Sequence, residues 1–265
     1  VIGAGVPALV SAQMSQEALV DWGWRIPFFL GGLVALTSLI LRIGLREVVP
    51  ESTDDQPSPI LRALKHHWRA ILAMIALMMP VAILYFVIFT YASSYLTGEM
   101  HVSTETALDF STANLVFLAL LIVPLGLLAD KIGARAVLLA GAGVTLLAAY
   151  PLWTMMHSTD LTAVFIGQML FAGINAVGWA LSVTLLAGMV PTAVRCSAVS
   201  IGYNTAMAVF GGTTPFVATY LVSRTSDDFA PVYYFVAATL ISLVVIVPMA
   251  RDNKGWGLSA RPSGP

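Results

Sequence analysis

The side chains able to do chemistry in this chain are few and unevenly spaced. Residues 126–135, GLLADKIGAR, put Asp130, Lys131 and Arg135 within six positions, with Gly126 and Gly133 beside them, between two long apolar runs. A carboxylate, an ammonium and a guanidinium so placed can form charge-assisted hydrogen bonds across a tight turn. Farther on, Gln168, Phe171, Asn175, Trp179 and Ser182 recur every three or four residues, which puts them on one face of a helix. In apolar surroundings amides and hydroxyls must pair with a neighbouring helix or face a polar cavity; the spacing fits both. Tyr85, Asn114, Tyr203 and Asn204 carry similar groups inside other apolar runs, and Arg195 stands at the start of one. Phenol and amide donors can bind a carboxylate without changing charge. Gly211-Gly212, followed by Pro215, joins weak helix propensity to a missing N–H, so a bend is expected there.

The elements that carry these residues follow from composition. Of 265 residues 58% are hydrophobic and 10% charged, against about 25% charged in soluble domains. The solvent for most of this chain must be lipid. A hydrocarbon core about 30 Å thick takes roughly 20 apolar helical residues to cross. Backbone groups there must bond internally, so only helices or barrel strands qualify. Barrel strands alternate in polarity; these runs do not. The fold class is an all-α integral membrane protein. Complete spans are expected at 26–45, 70–97, 107–129, 136–156, 162–190, 197–222 and 232–250, with residues 1–14 the outer end of one more. The long polar segment 46–69, REVVPESTDDQPSPILRALKHHWR, has three prolines and mixed charge. It reads as a linker that ends in a basic amphipathic stretch at the membrane surface.

The basic residues divide sharply between the two sides. Arg42, Arg46, Arg62, Lys65, Arg69, Lys131, Arg135, Arg195, Arg251, Lys254 and Arg261 fall on one side, and only Arg25 and Arg224 on the other, which accounts for all 13. The basic side is expected to be cytoplasmic. A charge at the bilayer centre costs about 2.5–3.5 kcal/mol on insertion scales, and no Asp, Glu, Lys, Arg or His lies near the middle of a complete span.

Several classes of function lack support. A net charge of −1 offers nothing to nucleic acid. The single cysteine, Cys196, excludes an internal disulfide framework. His66 and His67 would point about 100° apart on a helix, and His101 and His157 stand alone in outer loops, so no metal is expected. With no nucleophile elbow, phosphate loop or dinucleotide fingerprint, neither catalysis nor a cofactor is expected. The chain opens on Val1 within an apolar segment, and an earlier part of the protein is expected to precede it.

The pattern G-x-x-x-D-[RK]-x-G-x-[RK] over residues 126–135 resembles the cytoplasmic loop motif of the major facilitator superfamily; the family's frequent second basic residue is replaced by Ala134. WGWRIPFFLGG, residues 22–32, resembles the start of the sixth helix in its metabolite–proton symporter branch, carriers of citrate, 2-oxoglutarate, shikimate and proline or betaine. Trp22 and Trp24 also fit plain interfacial anchors. PTAVRCSAVSIGYNTAMAVFGGTTPFVATYL, residues 191–221, resembles that branch's tenth-to-eleventh-helix segment.

The resemblance implies a major facilitator fold, with residues 1–45 ending an N-terminal six-helix half. Residues 46–69 are then the linker, 70–250 the complete C-terminal half and 251–265 a cytoplasmic tail. Gly126, Asp130, Lys131, Gly133, Arg135 and Arg195 would form a cytoplasmic gate. Tyr85, Asn114, Gln168, Asn175, Trp179, Tyr203 and Asn204 would bind substrate near the midplane between halves that rock around it, and Gly211, Gly212 and Pro215 would be a hinge. The expected activity is secondary transport of a small metabolite, an organic carboxylate, across the inner membrane by proton symport. The implied partners are that solute, a proton, the bilayer and the missing N-terminal half, which would hold the proton-coupling carboxylate. The fragment alone is not expected to transport. A zwitterionic osmolyte carrier is the alternative. VPES at 49–52 resembles a motif of sugar carriers, but 70–97 lacks their paired glutamines. A seven-helix receptor is the remaining rival; a retinal protein would need a lysine that 232–250 lacks.

Overall fold

Hydrocarbon leaves an apolar run no choice but a helix, and short polar segments decide where each helix stops. The computed structural model describes residues 6, 7, 9, 10, 13–43 and 58–251. A short helix α1 (Gln16–Asp21) and a tight turn (Gly23–Arg25) lead into α2 (Ile26–Ile43). A surface helix α3 (Pro59–His66) precedes six long ones. These are α4 (Trp68–Gly98), α5 (Thr104–Ile132), α6 (Ala134–Met156), α7 (Leu161–Gly188), α8 (Thr192–Thr225) and α9 (Ala230–Arg251). All the spans expected from residue 26 onward are present, most of them longer than expected by a few residues at one or both ends. The expectations for 1–14, the first part of the linker and the tail 251–265 fall largely outside the described residues, Arg251 closing the last helix.

Helix starts are set by local chemistry. The Ser103 hydroxyl accepts from the Thr106 N–H at 3.1 Å ahead of α5. The Asp160 carboxylate accepts from the Thr162 N–H at 2.9 Å ahead of α7, where an anion also meets the positive end of the helix dipole. Gly133 separates α5 from α6 at φ +94°, a left-handed conformation open to glycine. Its N–H closes α5 on the Ala129 carbonyl at 2.8 Å.

The six long helices alternate in direction, so residues 68, 132, 188 and 251 lie at one end of the bundle and 98, 156, 161 and 225 at the other. Helix α4 is the most enclosed: 72% of its most apolar window is buried, against 17% for α5. Near the 132 end Met74, Met78, Leu181, Leu185, Leu186 and Ala198 form one core. Toward the 156 end Ile83, Val87, Trp153, Phe171 and Phe235 form a second. Leu120, Val123, Leu147, Val183, Phe216 and Val244 face outward and are more than half exposed, as a lipid-facing belt requires. Phe28, Phe29, Leu33, Val34 and Leu41 of α2 are exposed too.

Two of the spans widen at mid-course. In α8 the stretch Ala206–Gly211 is a π-turn, and the Gly212 N–H reaches back five residues to the Met207 carbonyl at 2.8 Å. Thr213 and Thr214 donate their hydroxyls to the Val209 and Phe210 carbonyls, and Pro215 sits at the start of the helical stretch Thr214–Thr225. Where a bend is expected at Gly211-Gly212-Pro215, regular winding is interrupted by this π-turn and by a turn at 212–213. The second π-turn, Val87–Tyr91 in α4, contains neither Gly nor Pro and was not foreseen. The two are neighbours: a Cβ at Gly211 would come within 2.8 Å of the Phe86 ring, at the edge of the α4 turn.

Candidate functional site

The charged turn occupies the 132 end of the bundle. Asp130, Lys131, Gly133 and Arg135 are exposed there, and Gly126 is half-buried one turn deeper in α5. Arg195 lies at that same end, opening the α-helical part of α8, with its Nε buried and unpartnered among the described residues.

The polar and aromatic candidates separate into two groups. Tyr85 of α4, Trp179 of α7 and Tyr203 of α8 come together as half-buried rings. Tyr85 and Trp179 stand edge to face with centroids 5.6 Å apart, and Trp179 and Tyr203 likewise at 6.4 Å. Phe89 extends the cluster, 4.7 Å from Tyr85. The Trp179 Nε1–H is buried with no acceptor among the described residues. Asn204, next to Tyr203, is exposed and donates to the Ser200 carbonyl at 2.8 Å.

Asn114, Gln168 and Asn175 are instead buried inside the bundle, none more than 2% exposed. Asn114 donates to Gln168 at 3.1 Å, tying α5 to α7. With its amide oriented to satisfy both neighbours, Asn175 donates to the Val81 carbonyl at 3.3 Å and accepts from the Tyr85 N–H at 3.1 Å. It thus straddles one rung of the α4 backbone, just ahead of the π-turn. Phe171 packs edge to face on Phe235 at 5.7 Å, and the Ser182 hydroxyl donates to the Trp179 carbonyl at 3.2 Å. Of the five-residue stripe on α7 only Trp179 is more than slightly accessible. Gln168, Phe171 and Asn175 join α7 to its neighbours, and Ser182 is satisfied within α7 itself, as the cost of unpaired polar groups in lipid requires.

At the opposite end, His157 is not alone in its loop. It lies against Tyr95 at 4.7 Å, Trp153 at 5.0 Å and Phe229 at 6.0 Å between ring centroids. Its Nδ1 faces the Trp153 carbonyl at 3.1 Å, and Trp153 Nε1 donates to the Asp228 carbonyl at 2.8 Å. Burial pushes the His157 pKa below its usual 6.5, although the Trp153 carbonyl and Asp228 favour the charged form. The unfolded chain therefore takes up this proton first as pH falls. The neutral ring leaves stability intact above about 6.5, and stability declines as pH drops below that value. The melting temperature of the full-length protein in detergent is expected to fall between about pH 7 and about pH 5. The His157→Phe variant should show a shallower fall; equal slopes would refute the assignment.

Among the described residues no group of three His, Cys, Asp or Glu side chains could hold a metal. Sequence reasoning missed Phe89 and the contact of Phe86 with Gly211, because helical spacing gives faces and not the neighbours they meet.

Comparison with known proteins gives a consistent picture. The family model described as Major Facilitator Superfamily matches residues 93–261. The chain is 28% identical to the proline/betaine transporter of Salmonella typhimurium over 263 residues, covering 94% of this chain and 52% of that protein. It is 28% identical over 258 residues to a glycine betaine/proline/ectoine/pipecolic acid transporter of Dickeya dadantii, covering 92% and 51%. With an ectoine/proline transporter of Corynebacterium glutamicum it shares 27% identity over 284 residues, covering 98% and 56%. The chain spans about half the length of these relatives. No solved structure matches it.

Proposed function

From the premise that this chain belongs to the major facilitator superfamily, we propose that it is the C-terminal portion of a secondary transporter for a small zwitterionic solute of the betaine or proline kind. Membership makes it a multi-pass membrane transport protein and not an enzyme, and it removes the receptor reading. The solute, the coupling ion and the missing half are the proposed part.

The observation that carries the reading is the ring cluster Tyr85, Trp179 and Tyr203, set in spans whose ionisable residues keep to their ends. A cation over an aromatic face gains about 2 kcal/mol or more when both are desolvated. The unpartnered Trp179 N–H is a donor suited to a carboxylate. One side-chain cluster could thus take both ends of a zwitterion with no formal charge of its own. The names of the relatives point the same way, and together they move the expectation from an organic carboxylate to the zwitterion. A dianion would find no cation on this face among the described residues.

In this proposal residues 68–251 form one six-helix half, with the segment before it as linker and the basic end in the cytoplasm. Asp130, Lys131, Arg135 and Arg195 then work at the cytoplasmic gate, and the proton-carrying side chain belongs to the other half. The test is uptake of labelled betaine, proline, citrate and shikimate by vesicles carrying the full-length protein, with and without an inward proton gradient. Betaine or proline should accumulate, faster with the gradient. Uptake of citrate or shikimate in preference to both would overturn the substrate class. Accumulation indifferent to the gradient would remove proton coupling alone.

A further inference from the structure

A small cavity, separate from the ring cluster, lies between α4, α6, α7 and α9, with a volume of about 60 Å³. Its walls include Thr145, Asn175, Thr239 and Ser242, all at most 8% exposed, together with Pro80. Four polar side chains converging on one void in the middle of a membrane bundle call for a partner, because unpaired polar groups in hydrocarbon are costly.

The hydrogen bonding defines what kind of partner. Thr145 donates its hydroxyl proton to the Gly141 carbonyl at 2.8 Å, and Thr239 donates its own to the Phe235 carbonyl at 2.8 Å. Both protons are committed, so these oxygens have only lone pairs left to offer. Asn175 spends one N–H and one lone pair of its amide on the α4 backbone and keeps one of each for the cavity. Pro80 has no N–H to give the carbonyl four residues before it, so α4 lacks a rung at the cavity wall. The occupant must therefore bring hydrogen-bond donors. Among the described residues no carboxylate lines the space, so a cation would sit uncompensated at a cost of many kcal/mol. Water needs two to four polar partners and roughly 30 Å³ per molecule, so the space suits about two.

We propose that this cavity is a hydration site, in which about two ordered waters bridge Thr145, Thr239, Ser242 and Asn175 beside the Pro80 break. The waters donate to the free lone pairs and accept from Ser242, joining α4, α6, α7 and α9 through exchangeable bonds. Such bonds let α4 flex at Pro80 without stranding a polar group. The proposal is independent of which solute the protein carries.

Radiolytic hydroxyl-radical footprinting of the full-length protein, read by mass spectrometry, tests it, since bound water generates radicals in place. Leu77 and Phe235, which line the cavity, should be oxidised well above Leu185 and Leu186, which are equally buried but lie away from it. The excess should disappear in the triple variant Thr145→Val, Thr239→Val, Ser242→Ala. Thr239→Val alone should reduce it if the triple variant does not fold. Equal oxidation of Leu77 and Leu185 in the unmodified protein would show a dry cavity and overturn the proposal. So would an excess that survives the substitutions, or one that depends on sodium in place of choline, which would identify a cation site.

Discussion

Replacing Trp179 with leucine in the full-length protein is expected to raise the KM for betaine by roughly thirtyfold, the equivalent of about 2 kcal/mol of cation–aromatic attraction. The side chain bridges Tyr85 and Tyr203, so its loss removes one face of the cluster and leaves the other two rings apart. Trp179→Phe separates the two functions of the residue: the ring stays, the N–H goes. A neutral solute hydrogen bond contributes about 0.5–1.5 kcal/mol and one to a charged group about 1.5–3 kcal/mol. The phenylalanine variant should therefore bind a betaine amide, whose carbonyl accepts only a neutral bond, about two- to tenfold more weakly than the parent does, while betaine itself weakens by more than tenfold. Initial uptake rates across a range of solute concentrations check both. An unchanged KM in a well-expressed Trp179→Leu protein would remove the cluster from the site.

The second large effect is expected at Gly178. A Cβ there would lie 2.4 Å from Val81 Cγ2 and 3.0 Å from Cγ1, well inside contact distance, so Gly178→Ala must push α4 and α7 apart. Overpacking of this kind costs about 1–3 kcal/mol. The same approach of helices brings the Asn175 amide to the Val81 and Tyr85 backbone, so any separation that the Val81 side chain does not absorb also loosens that bridge. Val81→Ala opens the space again. The double variant should then be more stable than the sum of the two single losses, with a coupling of about 0.5–3 kcal/mol. Thermal unfolding of the purified variants in detergent measures this. Strict additivity would mean that Val81 yields freely and that the close approach is not constrained.

Much of the architecture could be read before any coordinates, for reasons particular to membranes. Long apolar runs have one available conformation, and Gly133 was legible as a tight turn, whereas the caps Ser103 and Asp160 start their helices ahead of the apolar runs that the spacing picked out. The Gly211-Gly212-Pro215 break was legible because both residue types act on their own backbone. The functional face was harder to read. The α7 stripe was visible as a stripe, but a period of three to four does not say whether the face meets a cavity or another helix. Gln168 is paired because Asn114 faces it from a residue 54 positions earlier. The π-turn at Val87–Tyr91 lacks any local mark and sits just past the rung that Asn175 straddles, so its cause lies in tertiary contacts. The substrate class was the least legible, since neutral aromatic and amide groups suit several solutes.

The wide turns of α4 and α8 also bear on how such a rod could move. Each holds one residue more than regular winding allows. Shifting that surplus by a single position exchanges one carbonyl partner for the next and turns the residue it passes by roughly 100°, with the axis left continuous and the flanking segments kept in register. Because the slack in α8 abuts Phe86 at the margin of the slack in α4, displacement of one would crowd the other. Two otherwise stiff columns could in this way slip in step, like paired ripples travelling along adjoining ropes.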